Sequence, residues 1–196
     1  MNWKSILASL VLVISWVSAS AQISDCSFPP SVAGHEGGPL TLVGAGVRTN
    51  WLKPINAVAL YAHRKVNTWD EIVGGEFEAR ADVVFYVARF SGEDLRASWK
   101  ERFSVILNSR QLSLYSTTID SVLRLFVDVE RGGKLSFVST RQGLTLSLNG
   151  KSLGQVGDLA FGRAVLSSWF GDKPASADLK LSVFRGEAVK NLPCLK

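Results

Sequence analysis

Apolar residues recur along this chain at two spacings, and the order of those spacings outlines a fold. Residues 40–48 and 55–63 are apolar runs of strand length, separated by a short polar stretch. A third, residues 82–90, sets Val83, Phe85 and Val87 on one face and Val84, Tyr86 and Ala88 on the other. A strand apolar on both faces belongs inside a sheet. Between the second and third runs, Asn67-Thr68-Trp69-Asp70-Glu71 offers an N-cap and early acids for a short helix. The period then changes. Ser91 with Asp94 forms a capping-box-like start, and Leu95, Trp99, Phe103, Ile106 and Leu107 fall on one helical stripe. A further helix carries Tyr115, Ile119, Val122, Leu123 and Phe126 on one face. Residues 134–140 and 143–148 return to strand, joined by a tight turn at Arg141-Gln142, and Asn149-Gly150 marks a hairpin leading into 152–156. Two helices close the chain: 158–170, capped by Asp158 and stopped by Gly171, and 176–184.

Runs of strands with helices grouped between them predict an α+β fold, a mostly antiparallel sheet with helices packed on one face. Residues 22–39, rich in Pro, Gly and Ser, read as an irregular lead-in, and 40–196 as one domain without repeat or linker.

The N-terminal residues carry an export pattern: Lys4 as the positive region, 6–17 as the apolar core, and Ala19-Ser20-Ala21 as the cleavage site. Residues 1–21 are therefore expected to be a signal peptide, and the mature protein to be periplasmic or secreted. The apolar core is shorter than the roughly twenty residues of a membrane span, so no integral membrane segment is expected after cleavage. Ile23-Ser24-Asp25-Cys26 superficially suggests a lipoprotein site, against which the charged Asp25 argues. About 175 residues remain, enough to bury a core. Cys26 and Cys194 stand near opposite ends of the mature chain. In an oxidising compartment they are expected to form one disulfide, the alternative being two buried thiols. The net charge of +5 comes from scattered basic residues without a run, which argues against a nucleic-acid partner.

Most catalytic signatures are missing. His35 and His63 are the only histidines, and neither stands in a metal-ligand spacing, so no metal is expected. There is no nucleophile elbow, no phosphate-binding loop and no dinucleotide fingerprint, so no cofactor is expected.

Four segments in order carry a family resemblance. They are Leu42-Val43-Gly44-Ala45-Gly46-Val47-Arg48; Phe90-Ser91-Gly92 through Trp99-Lys100-Glu101; Leu148-Asn149-Gly150-Lys151; and Phe161 through Trp169-Phe170-Gly171 to Lys180. Together, over residues 40–186, they resemble the chalcone isomerase-like family, its bacterial secreted branch more than the plant enzymes. The resemblance implies an open β-sandwich whose ligand sits in a cleft between sheet and helices. It also implies that Arg48 binds an anion, as that motif's arginine does in the isomerases and the related fatty-acid-binding proteins. From the residues alone, Arg48 could instead pair with an internal acid or point to solvent. Asn56 stands where the isomerases have a strand threonine, and Ser168, followed by Trp169, at their late helical threonine. Leu95 replaces the helix tyrosine, and Ser98 the polar group three residues on. Loss of that phenol implies that flavanone formation is lost.

The expectation is an exported, non-catalytic domain holding an amphipathic carboxylate such as a fatty acid, with Arg48, Asn56, Ser168 and Trp169 as ligand contacts. Two alternatives stand beside it: an isomerase of the intramolecular lyase type, and a structural or interaction protein whose cleft is filled. The oligomeric state is not legible. Trp99, Trp169, Phe103 and Phe170 read mainly as core, with one or two of them free to wall a cleft.

Closing a loop from Cys26 to Cys194 contributes about 4–5 kcal/mol on the chain-entropy account. Intact mass of the exported protein should show a chain starting at Gln22 with no thiol open to alkylation before reduction. Two alkylated thiols would exclude the bond.

Overall fold

The protein is described by a computed structural model that covers residues 28–51 and 53–187. The signal segment, Cys26 and Cys194 lie outside the described residues. Seven strands form one antiparallel sheet, in the spatial order Ser31–Ala33, Pro39–Asn50, Lys53–Ala62, Ala79–Phe85, Lys134–Thr140, Gly143–Leu148 and Lys151–Val156. β1 (Ser31–Ala33), β2 (Pro39–Asn50), β3 (Lys53–Ala62) and β4 (Ala79–Phe85) follow the chain, with α1 (Trp69–Val73) between β3 and β4. A crossover then carries β5 (Arg89–Phe90), α2 (Gly92–Ile106), α3 (Ser109–Leu114), α4 (Ser116–Leu125) and β6 (Val129–Glu130). The sheet resumes with β7 (Lys134–Thr140), β8 (Gly143–Leu148) and β9 (Lys151–Val156), followed by α5 (Leu159–Phe170) and α6 (Ala177–Phe184). The expected α+β class and helical layer are what the structure shows.

Alternation along β3 sorts its two faces. Val58, Leu60 and Ala62 join the main core, whereas Ala59 and Tyr61 join a smaller cluster on the opposite face. The main core is the sheet–helix interface, where Trp99, Phe103, Phe126, Phe137, Phe161, Trp169 and Phe170 meet. Trp99 is its hub, stacking on Phe126 at 5.8 Å and meeting Trp169 edge-on at 5.5 Å. Such aromatic pairs add about 0.5–1.5 kcal/mol each beyond area burial. The helices begin where sequence places their caps. Ser91 accepts from the Asp94 N–H, Asp158 from Phe161 and Ser176 from Leu179. Asn149 and Gly150 take φ of 51° and 82°, the paired left-handed geometry of a two-residue hairpin.

Two expectations need correction, and one short helix was not expected. The run 82–90 is not one strand: β4 ends at Phe85, and 89–90 pair with β6 in a separate two-stranded sheet. The apolar alternation continues past Phe85, but β7 begins at Lys134, opposite Val84, so the neighbouring strand runs out. The helix expected around 115–126 is α4, and a short helix that was not expected, α3, precedes it, opened by a reciprocal Asn108–Gln111 capping box. The lead-in is partly regular, since β1 pairs antiparallel with the start of β2.

Gly44 and Gly46 have a packing reason rather than a dihedral one, for neither has a positive φ. A Cβ on Gly44 would lie 2.0 Å from the Val183 carbonyl oxygen of α6, and one on Gly46 2.8 Å from that of Leu179. Backbone meets backbone there. Gly44→Ala should therefore force α6 off the sheet and cost about 1–3 kcal/mol. Urea unfolding of the two proteins checks this; an unchanged midpoint would mean that α6 is free to shift.

Candidate functional site

The strand alternation that aims Gly44 and Gly46 at α6 continues to Arg48, on the same face. Arg48 lies directly opposite Asn56 of β3, and Asn56 in turn opposite Phe85 of β4. Cross-strand partners share a face. Beyond the N-terminal end of α6 a cleft of about 370 Å³ opens between the sheet and the helices. Arg48, Asn56, Val83, Phe85 and Phe137 form its floor, and Pro174 and Ala175, which precede α6, line one side.

The opposite wall comes from α2 and α5. Leu95, Ser98, Trp99, Arg102 and Val105 follow one another at helical spacing, so one stripe of α2 faces the space. Ser168 and Trp169 complete the wall at the C-terminal end of α5. Arg48, Asn56, Ser168 and Trp169, far apart in sequence, thus share one cavity. Leu95 lines it where the isomerase tyrosine was expected, so an apolar side chain stands in for a phenol. The cleft is open rather than filled.

Its polar groups are under-satisfied. Among the described residues, Asn56 Oδ1, Ser168 Oγ and Arg102 Nε are buried with no hydrogen-bond partner, and all three residues line the cleft. A buried polar atom left unpaired costs about 1–3 kcal/mol, so each is a position where a ligand atom could recover free energy. Elsewhere the two buried acids have partners, whereas buried Arg163 donates to the carbonyls of Gly75 and Phe77 and keeps Nε and Nη1 without a hydrogen-bond partner among the described residues. Asp82, fully buried on the opposite face, takes Arg80 at 2.7 Å and Lys134 at 3.6 Å. Glu78 accepts from the backbone N–H groups of His35 and Glu36, with His63 at 3.7 Å. Arg48 has no acid within ion-pair distance among the described residues.

Arg102 is the site residue that the sequence reading missed. Its Nη2 donates to the carbonyl of Ser168 at 3.0 Å and to that of Lys173, which fixes the guanidinium at the wall without neutralising it. Burial lowers its pKa below the ordinary arginine value, and the positive charge of Arg48 lowers it further. The signal was present: Arg102 lies seven residues after Leu95 and three after Trp99, on the same stripe. The histidines are absent from the cleft lining. Among the described residues no group of His, Cys, Asp and Glu could hold a metal, and no helix is long and apolar enough to cross a membrane.

The profile of the chalcone isomerase-like family matches residues 20–183. Among solved structures, the chain is similar to the crystal structure of an Arabidopsis thaliana fatty-acid binding protein. That match has a TM-score of 0.63 at 16% identity and covers 80% of this chain and 90% of that one. No curated protein matches the sequence.

An arginine kept for ligand contact and one kept for the fold should respond differently to removal. Arg48→Met, which keeps most of the apolar stem, should change stability by less than about 0.5 kcal/mol, because no partner is orphaned. Arg80→Met leaves Asp82 buried with a weaker partner and should cost about 3 kcal/mol. Thermal unfolding of both variants without added ligand makes the comparison. A large loss at Arg48 would mark it as structural.

Proposed function

Because the chain belongs to the chalcone isomerase-like family, we propose that it is an exported, non-catalytic member that holds an amphipathic carboxylate such as a fatty acid in the sheet–helix cleft. The observation that carries this reading is Arg48, a permanent cation without an acid partner among the described residues, facing a cleft floored by apolar side chains. A carboxylate there would gain charge-assisted, bidentate hydrogen bonds in a partly dry setting. The Asn56 amide and the Ser168 hydroxyl would supply further contacts, and Trp99, Trp169, Phe85 and Phe137 would enclose the tail. A volume of about 370 Å³ falls within the ordinary range of small-molecule pockets. The fold shared with a fatty-acid binding protein supports the ligand class, and the N-terminal export pattern supports a periplasmic or secreted location.

A second reading, an isomerase acting on an unidentified small molecule, draws on Glu101, the one carboxylate in the cleft lining. It is exposed at the rim, and Leu95 and Ser98 take the positions of the phenol and its polar neighbour. Binding is the better supported role.

Affinity for fatty acids should rise by about 0.8 kcal/mol per added methylene until the cleft is full. Arg48→Ala should weaken carboxylate binding by roughly 2–4 kcal/mol while affecting uncharged esters of equal length far less. Calorimetric titration with acids and matched esters separates the cases. Equal binding by wild type and Arg48→Ala would remove the anchor.

A further inference from the structure

The cleft holds a second fixed cation that a single carboxylate does not need. Arg102 projects from α2 towards the space that Arg48 faces from β2, and the positive charge of Arg48 acts on it there. One guanidinium fork already matches both oxygens of a carboxylate. With a monoanion bound, one of the two positive charges stays uncompensated in a partly buried site. The charged groups of the lining are Arg48 from β2 and Glu101 and Arg102 from α2; Glu101 is exposed and within ion-pair distance of neither arginine. The α5 side adds only Ser168 and Trp169, and the segment before α6 only Pro174 and Ala175. A phosphomonoester head fits this lining better. It brings about −1.5 to −2 charges near neutral pH and three acceptor oxygens, enough for two guanidinium groups and the unpartnered Ser168 hydroxyl.

We infer that the preferred ligand of the cleft is a single-chain amphiphile with a phosphomonoester head, shared between Arg48 and Arg102, with its tail among Trp99, Phe137 and Trp169. This rests on the reading of the cleft as an amphiphile site and narrows its head group. Arg102 would be the residue that sets the preference, since Arg48 alone serves a carboxylate.

Calorimetric titration of the full mature chain with decyl phosphate, decanoate and inorganic phosphate tests it, at about pH 5.5 and about pH 8, on either side of the second phosphate ionisation near 6. At the higher pH decyl phosphate should bind about tenfold tighter than decanoate, and inorganic phosphate, lacking the tail, at least about a hundredfold weaker than decyl phosphate. At the lower pH the head becomes mainly a monoanion and its advantage should shrink to within about threefold, while arginine stays charged throughout. Arg102→Gln should abolish the advantage, read as the ratio of decyl phosphate to decanoate affinity in the same variant. Because Arg102 also ties two carbonyls, Arg102→Lys is the companion variant; it keeps the charge and should keep most of the advantage. Equal affinity of decyl phosphate and decanoate at the higher pH, an advantage that survives Arg102→Gln, or inorganic phosphate binding as tightly as decyl phosphate would overturn the inference while the carboxylate reading stands. If the wild type binds none of the three, both fall.

Discussion

The backbone of α6 rests directly on β2 because Gly44 and Gly46 present no side chains, and this close approach sets where the helical layer ends. Going from Gly44 to Gly46 along the strand, the helix runs from Val183 back to Leu179. The next residue on that face is Arg48. Its long side chain stands where the turn before α6 has already left the strand, and the interior opens there. An alanine at either glycine would lift the helix and change the depth of the opening. The glycines therefore do not touch a ligand; they decide that a cleft exists beside Arg48.

Electrostatics then give that cleft its character. A fold of this size can bury charge if each charge finds a partner, as Asp82 does with Arg80 and Lys134. Such pairs lock the opposite face of the sheet and leave nothing to bind. In the cleft three buried polar atoms, Asn56 Oδ1, Ser168 Oγ and Arg102 Nε, have no hydrogen-bond partner among the described residues, and burial, helped by the charge of Arg48, lowers the pKa of Arg102. Local penalties of this kind persist where the surrounding structure over-determines them. Here the surroundings are the aromatic core around Trp99 and the carbonyls of Ser168 and Lys173 that hold Arg102. The same packing that makes the wall rigid keeps its polar groups from collapsing onto one another.

Much of the fold was legible because it is written in local terms. Period-two alternation, the caps at Ser91, Asp158 and Ser176 and the Asn149-Gly150 turn act within a few residues, so the chain alone specifies β7, β8, α5 and α6 closely. The failures have a common cause. The end of β4 depends on where β7 begins, and the regular pairing of β1 depends on β2. Each needs a partner distant in sequence. A strand's apolar pattern cannot report that its neighbour has stopped.

For the site, the sequence by itself determined the types of residue present: an arginine after two strand glycines, an asparagine on the next strand, a serine and tryptophan on a late helix. The order of those segments carries the family resemblance, and it was the resemblance that implied a sheet–helix cleft and an anion. Only the tertiary structure decided that Arg48 is without an acid partner among the described residues, that Leu95 faces the cleft, and that Arg102 shares the space. Pairing and solvation are properties of distance and burial rather than of composition. Arg80 and Arg102 look alike in the sequence; one ends beside a buried aspartate and the other beside a second arginine, because the sheet and helix that carry them bring different neighbours within reach.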